Sequence, residues 1–331
     1  MNTGTDANRN DKALRIVSLI PSATEIVAAL GFADCLVGRS HECDYPAQVK
    51  DLPICTEPKF DPVGTSGEIH QRVTALLSSA LSVYRVKTDV LAQLQPTHII
   101  TQAQCEVCAV SLSDVEQAVT DLVSVGRDRA NVQIISLQPE RLADVWDDIE
   151  RVSAALGNGA TGGAEKSATE IIAALKDHLP KSVASETRPK VACIEWTDPL
   201  MAAGNWVPEL VDIAGGVDCL GKAGAHSDWL SWEALIAADP DIIVVLPCGY
   251  DLEQTRQATA EMAALGPWHE LRAVKAGRVY LTDGNQYFNR PGPRLTDSCQ
   301  ILAEIIQGNE PNSARASAGW EQWGEKVETA R

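Results

Sequence analysis

Leu91-Ala-Gln-Leu-Gln-Pro96-Thr-His-Ile-Ile100 and Leu235-Ile-Ala-Ala-Asp-Pro240-Asp-Ile-Ile243 decide the fold. Each is a helix end, a proline and an apolar run. Proline disfavours helical backbone at the residue before it, so the helix stops there. A short apolar run after such a breaker reads as a buried strand. The same unit in both halves of the chain predicts two similar lobes.

Outward from the first unit, Arg15-Ile-Val-Ser-Leu-Ile20 is a buried strand stopped by Pro21. Ser22-Ala-Thr-Glu25 has the capping-box spacing and opens a helix to Leu30, closed by Gly31. Strands are predicted over Cys35–Gly38, Leu52–Cys55, Thr97–Thr101 and Val132–Leu137, and helices over Gly67–Val83, to Leu94, and over Leu112–Val125. Around the second unit, strands are predicted over Lys190–Trp196, Asp241–Leu246 and Arg278–Leu281. Helices there cover Val207–Ala214, Ser231–Ala238, Leu252–Ala264 and Arg294–Gln307. Strands alternating with helices form βαβ units and parallel sheets, an α/β fold. Between the blocks, Glu140–Leu156 is a long helical stretch, broken by Gly157-Asn-Gly-Ala-Thr-Gly-Gly163 and resumed to Leu179. The predicted organisation is an N-terminal lobe over 14–138, a bridging helical segment over 139–180, a C-terminal lobe over 190–308 and a tail over 309–331. Trp320 and Trp323 predict that the tail docks.

A chain of 331 residues exceeds what one core usually organises. Its net charge of -17 disfavours nucleic acid and anionic lipid as partners. Met1 to Lys12 is polar, with no apolar run of signal-peptide type, and no stretch reaches membrane-spanning length. These features predict a cytoplasmic protein with no membrane insertion, or a periplasmic one if a leader has been removed. Nine cysteines, an odd number, do not suit a disulfide framework. Walker A, Gly-x-Gly-x-x-Gly, His-Glu-x-x-His and Gly-x-Ser-x-Gly patterns are absent, which favours binding over catalysis.

Arg15-Ile-Val-Ser-Leu-Ile-Pro-Ser-Ala-Thr-Glu25, Val37-Gly38, Asp44-Tyr45-Pro46, Pro96 with Ile99-Ile100, Asn205-Trp-Val-Pro-Glu-Leu-Val-Asp-Ile-Ala-Gly-Gly216, Trp232 to Val245 and Arg290-Pro-Gly-Pro-Arg294 occur in this order. Together they resemble the substrate-binding proteins of ABC importers for iron-siderophore complexes and cobalamin, over roughly residues 14 to 308. The resemblance implies two Rossmann-like lobes with mostly parallel sheets, joined by a long rigid helix, with a small-molecule ligand in the cleft. It also implies an ABC permease as partner if the chain is exported. The cobalamin binders look most similar, and they imply a corrinoid ligand against Tyr45, Trp196, Trp229, Tyr287, Phe288 and Arg290. Aromatic faces suit a flat corrin ring, because they bury large area at little entropic cost. Arg290 would reach the ligand's amides or phosphate. Inside a cytoplasm, storage or hand-over of the corrinoid would replace import. A ferric siderophore or haem is the alternative cargo on the same fold.

Two further groups are singled out by residue chemistry. Cys105-Glu-Val-Cys108 follows a strand, and Cys43 lies in a strand-end loop of the same lobe. Thiolates bind soft metals or act as redox pairs, so these three are candidate ligands for a metal of unknown identity, or a thiol-dependent site. His41 and His226 are candidate axial ligands to cobalt, the plainer reading being hydrogen-bonded loop histidines. Glu57, Glu68, Glu209 and Glu233 are carboxylates that a permease could meet, or simply solvated helix faces.

Overall fold

A computed structural model describes residues 13–78, 83–103, 111–124, 132–157, 167–181, 188–264, 267–309 and 319–324. Chain order in the first lobe is β1 (Ile16–Ser18), α1 (Pro21–Ala29), β2 (Leu36–Arg39), β3 (Thr56–Pro58), α2 (Ser66–Ser78), β4 (Tyr84–Val86), α3 (Thr88–Leu94), β5 (His98–Gln102), α4 (Leu112–Ser124) and β6 (Gln133–Leu137). Strands pair in the order β2-β1-β5-β6, all parallel, while β3 and β4 form a separate antiparallel pair. The bridging segment holds α5 (Leu142–Ala155) and α6 (Ala168–His178), which pack on each other. The glycine-rich break therefore divides the crossing into two helices.

The second lobe runs β7 (Lys190–Thr197), β8 (Leu200–Ala202), α7 (Val207–Ile213), β9 (Val217–Asp218), α8 (Trp232–Ala238), β10 (Ile242–Val245), α9 (Leu252–Ala263), α10 (Arg272–Lys275), β11 (Val279–Thr282), α11 (Leu295–Gln307) and β12 (Trp320–Gln322). Its sheet orders β12-β11-β10-β7-β8, with β9 also on β7. Strands β11, β10, β7 and β9 are parallel, and β8 and β12 close the edges antiparallel. The tail does dock: Trp320 is buried, and its indole donates to Glu304 Oε2 at 2.9 Å.

The repeat seen in sequence has a backbone counterpart. Gln95 and Asp239, each directly before the proline, both take left-handed conformations, with φ of 48° and 44°. Such a residue ends a helix while satisfying a terminal carbonyl. One large core takes side chains from both lobes and from α5 and α6, including Ile16, Val145, Val191 and Leu302. Smaller cores cover the outer faces of the sheets. Shared packing of this kind makes the two lobes resist independent movement.

Two local expectations are corrected. Ser22 and Glu25 form no capping box: Pro21 occupies the first helical turn, no side chain caps it, and the Ser22 hydroxyl is buried without a partner. Glu25 instead faces the other lobe. Leu52–Cys55 contributes only a bridge at Ile54, and pairing begins at Thr56. The hairpin β7–β8 and helix α10 escaped the sequence reading, being too short for periodicity to register.

Candidate functional site

The loop after β2, residues Ser40 to Tyr45, faces the second lobe. Arg39 shapes it. Its buried guanidinium donates to the carbonyls of Ser40 (3.0 Å), Cys43 (3.1 Å) and Lys50 (3.0 Å). Ser40 Oγ accepts from Glu42 N at 3.2 Å, and Thr56 Oγ1 accepts from His41 N at 3.1 Å. The carbonyl anchors fix the loop without using any side chain between His41 and Tyr45, so those side chains are left for other work.

Opposite lies a π-helical turn, Gly284–Phe288, that leads into the start of α11. Asp283 Oδ1 caps it by accepting from Gln286 N at 2.7 Å. The turn delivers Arg290 and Arg294 to the first lobe. Arg294 donates to Glu25 through Nε (3.0 Å) and Nη2 (2.6 Å), and its guanidinium lies 4.3 Å from the centre of the Tyr45 ring. Arg290 is bonded to Asp44, donates to Asn285 Oδ1 at 3.0 Å and reaches the Glu42 carbonyl at 3.4 Å. Burial alone would raise the Asp44 carboxyl, but the Arg290 contact outweighs it and holds the group below its ordinary value.

Two of the expected ligand contacts are buried. Arg290 is only 3% exposed and its charge is taken by Asp44, so it is an inter-lobe strut. Phe288 is fully buried in the shared core and offers no face to a ligand. Tyr45 and Tyr287 do remain beside Arg294, and Tyr45 is 48% exposed.

A second contact line crosses the lobes at the start of α2. Ser66 Oγ shares hydrogen bonds with Thr197 Oγ1 (2.8 Å) and Tyr250 Oη (3.3 Å). Ile69 and Tyr250 pack together with Phe60, Val73 and Trp196 around them. Trp196 meets the Tyr250 ring at a tilt, with centroids 5.2 Å apart, and His70 meets the Trp229 ring edge-on at 5.1 Å. Gly67 permits this approach, since a Cβ there would sit 2.5 Å from Asp198 Oδ2. Trp229 keeps 60% of its surface open.

Between these two lines lie titratable groups. Tyr84 Oη donates to Glu42 Oε1 at 3.3 Å, and the Tyr84 ring lies 5.3 Å from that of His41. Desolvation raises the Glu42 carboxyl to about 7, against the opposing pull of Tyr84 and Arg290. About a third of the side chain is nonetheless open. Desolvation also raises Glu195, whose Oε2 accepts from Ser227 Oγ at 2.8 Å, and it raises the Cys248 thiol, which senses both carboxyls. His41 moves the other way. Desolvation, with Lys87 and Arg39 nearby, lowers it to about 4, and its Nδ1 lies 2.8 Å from Thr56 Oγ1. His226 lies near Glu195, whose carboxyl it acts on, and its Nδ1 is 3.0 Å from the Ser227 carbonyl.

Cys43 is buried, with Thr24 Oγ1 donating to its sulfur at 3.0 Å, and desolvation pushes its thiol up to about 11. That environment favours a packed thiol over a thiolate ligand. Cys105 and Cys108 lie outside the described residues. Among the described residues no group of three or more His, Cys, Asp or Glu could hold a metal ion, and no helix is long and apolar enough to cross a membrane.

Sequence reasoning missed Arg39, Glu25, Ser66 and Tyr250 as organisers of this site. Only the Arg290-Pro-Gly-Pro-Arg294 spacing carried a signal, because two arginines on a rigid turn demand anionic partners.

A sequence profile described as periplasmic binding protein matches residues 16–286. The chain is 24% identical to the ABC transporter substrate-binding lipoprotein YvrC of Bacillus subtilis, over 91% of this chain and 84% of that one. It is 25% identical to the vitamin B12-binding protein of Vibrio cholerae, over 89% and 90%. The periplasmic haem-binding protein RhuT of Roseiflexus sp. RS-1 in its apo form shares the fold, with a TM-score of 0.63, 23% identity and coverage of 90% and 99%.

Proposed function

The chain belongs to the periplasmic binding protein family, and from that premise we propose that its cleft takes up a cobalamin-type corrinoid and presents it to an ABC permease. The observation that carries this reading is the charge state of the cleft. Arg290 is spent on Asp44, and Arg294 on Glu25. What faces the space between them are carboxyls, Glu42 and Glu195, that desolvation holds toward their neutral forms. A haem brings propionates and a ferric catecholate brings net negative charge; both would need a free cation. A corrinoid brings amides, which carboxyls and hydroxyls can hydrogen-bond. Open aromatic surface at Tyr45 and Trp229 suits a broad macrocycle.

His41 supports the same cargo. At neutral pH its imidazole is uncharged, the form that ligates metals. A location outside the cytoplasmic membrane is supported by the relatives, one of them named a lipoprotein; they lend no support to the cytoplasmic placement expected from the polar first residues. The family consists of binding proteins, and the reading assigns the chain no catalysis.

The test is a visible absorption titration with hydroxocobalamin, run beside one with haemin. Saturable shifts of the corrin bands with none for haemin are expected, and a band position typical of nitrogen ligation would implicate His41. Saturable haemin binding with a flat corrinoid titration would overturn the reading.

A further inference from the structure

We propose that α2 is the gate of the cleft: in the ligand-free chain it is docked across the lobes onto Thr197, Tyr250 and Trp229, and a macrocyclic ligand enters only when α2 lifts from them and gives up their aromatic faces. This inference rests on the corrinoid reading for its ligand and adds to it a moving element and an autoinhibitory contact.

The need for a gate follows from the packing. One core runs through both lobes and the bridging helices, so the lobes do not part as rigid bodies. Access to the space between them must come from a local element that gives way. Two contact lines span the lobes, and they are unequal. The line at α11 consists of ion pairs, Arg294 with Glu25 and Arg290 with Asp44, and separating either strands a buried arginine. The line at α2 consists of hydroxyls and rings: Ser66 on Thr197 and Tyr250, Ile69 on Tyr250, and His70 on Trp229. Neutral contacts of that kind are exchanged for water or ligand at far lower cost.

α2 is also built to move as one piece. Thr65 and Glu68 cap it reciprocally, Thr65 Oγ1 accepting from Glu68 N at 3.3 Å and Glu68 Oε2 from Thr65 N at 2.9 Å. Arg72 donates to the carbonyls of Asp61 and Val63, and Asp61 Oδ1 accepts from Val63 N at 3.0 Å. Helix and preceding loop thus hold their shape through bonds within residues 61–72. Of the thirteen residues of α2 only Ser66 and Ile69 are buried, and both lie on the contact with the second lobe. Val73 and Phe60 pack on the outer core of the first lobe as well, which places the hinge there. Beneath the docked helix, Tyr250 is only 7% exposed, with the Trp196 ring against it. Lifting α2 turns that covered aromatic surface toward the ligand.

The gate can be locked. Asp198 Cγ lies 3.3 Å from the position a Gly67 Cβ would take, so Gly67→Cys with Asp198→Cys brings two thiols within disulfide reach. The experiment is a cyanocobalamin titration of the full chain carrying both substitutions, first oxidised, then reduced and desalted, with wild type taken through the same steps. The oxidised form should bind at least about tenfold more weakly than the reduced form, while wild type binds alike in both. Ser66→Ala loosens the docked state and should tighten binding about fivefold, the reverse of what a merely structural role would do. Equal affinity of the oxidised and reduced forms, failure of the two thiols to join, or binding by Ser66→Ala no tighter than wild type would overturn this inference while leaving the corrinoid reading intact. No saturable change with wild type would overturn the corrinoid reading, and this inference with it.

Discussion

Arg294 at the start of α11 holds Glu25 of α1 with two guanidinium nitrogens, at 3.0 and 2.6 Å, joining residues 269 positions apart. Both side chains are withdrawn from water, Glu25 to 1% exposure and Arg294 to 10%. Removing one partner of such a pair strands a buried charge, at a cost of about 3–5 kcal/mol. Arg294→Leu should therefore lower the urea midpoint, by less than that equivalent because Arg290 Nη1 stays 3.5 Å from Glu25 Oε1. Glu25→Leu combined with Arg294→Leu should recover much of the loss, since the uncompensated charge is gone. A double variant no more stable than the single would show that the arginine acts through packing on Tyr45 instead.

The second inter-lobe line is a hydroxyl contact. Ser66 Oγ lies 2.8 Å from Thr197 Oγ1, and both side chains are buried. Ser66→Ala leaves a buried hydroxyl unpaired, which costs about 1–3 kcal/mol. Ser66→Ala with Thr197→Val removes both polar groups and should cost less than Ser66→Ala alone. Chemical denaturation of the four members of this cycle measures the coupling. A coupling energy of zero would mean that α2 is held to the second lobe by the Ser66–Tyr250 contact and by Ile69 with its apolar neighbours.

Much of this arrangement was legible in the chain, and the illegible part has a common cause. The paired Leu91–Ile100 and Leu235–Ile243 units announce two lobes because helix, proline and strand are local signals. Tyr45 and Trp229 were legible as candidate contacts because exposed aromatics of the right family positions can be read residue by residue. The burial of Arg290 and Phe288 was not legible, since nothing local says that an arginine meets an aspartate 246 residues away, nor which of two adjacent aromatics, Tyr287 or Phe288, turns into the core. Glu25 misled for the same reason: its spacing from Ser22 is that of a cap, and its true partner lies in the other lobe. Burial and charge pairing across lobes are properties of the assembled fold.

His41 gives a pH prediction with a definite sign. Its ring titrates at about 4 in the folded chain against an ordinary 6.5. Between those values the unfolded chain binds more protons than the folded one, so stability falls as pH drops from 6.5 toward 4. Glu42 works oppositely: raised to about 7 from 4.5, it makes stability fall as pH climbs through that window. The His41 slope is therefore read cleanly in Glu42→Gln. In that background His41→Gln should flatten the acid-side decline in thermal midpoint, and the His41 ring should show no proton resonance shift above about pH 6. A ring that titrates near its ordinary value would remove His41 from the group of neutral imidazoles.

Trp229 and Phe288 separate binding from folding. Trp229 is 60% exposed, so Trp229→Ala should change stability by no more than about 0.5 kcal/mol. Under the proposed corrinoid reading its open face meets the macrocycle, and losing it should weaken corrinoid binding about tenfold, or about 1.4 kcal/mol. Phe288 has no exposed surface, and its truncation to alanine should cost about 3–5 kcal/mol of stability through the cavity it leaves. The protein that remains folded should still bind, because the ring touches core and not ligand. Calorimetric affinity and urea midpoints on the same two variants decide the matter. If Trp229→Ala binds as wild type does, the aromatic contact lies elsewhere on the cleft rim, and Tyr45, with one ring face against Arg294, becomes the residue to truncate next.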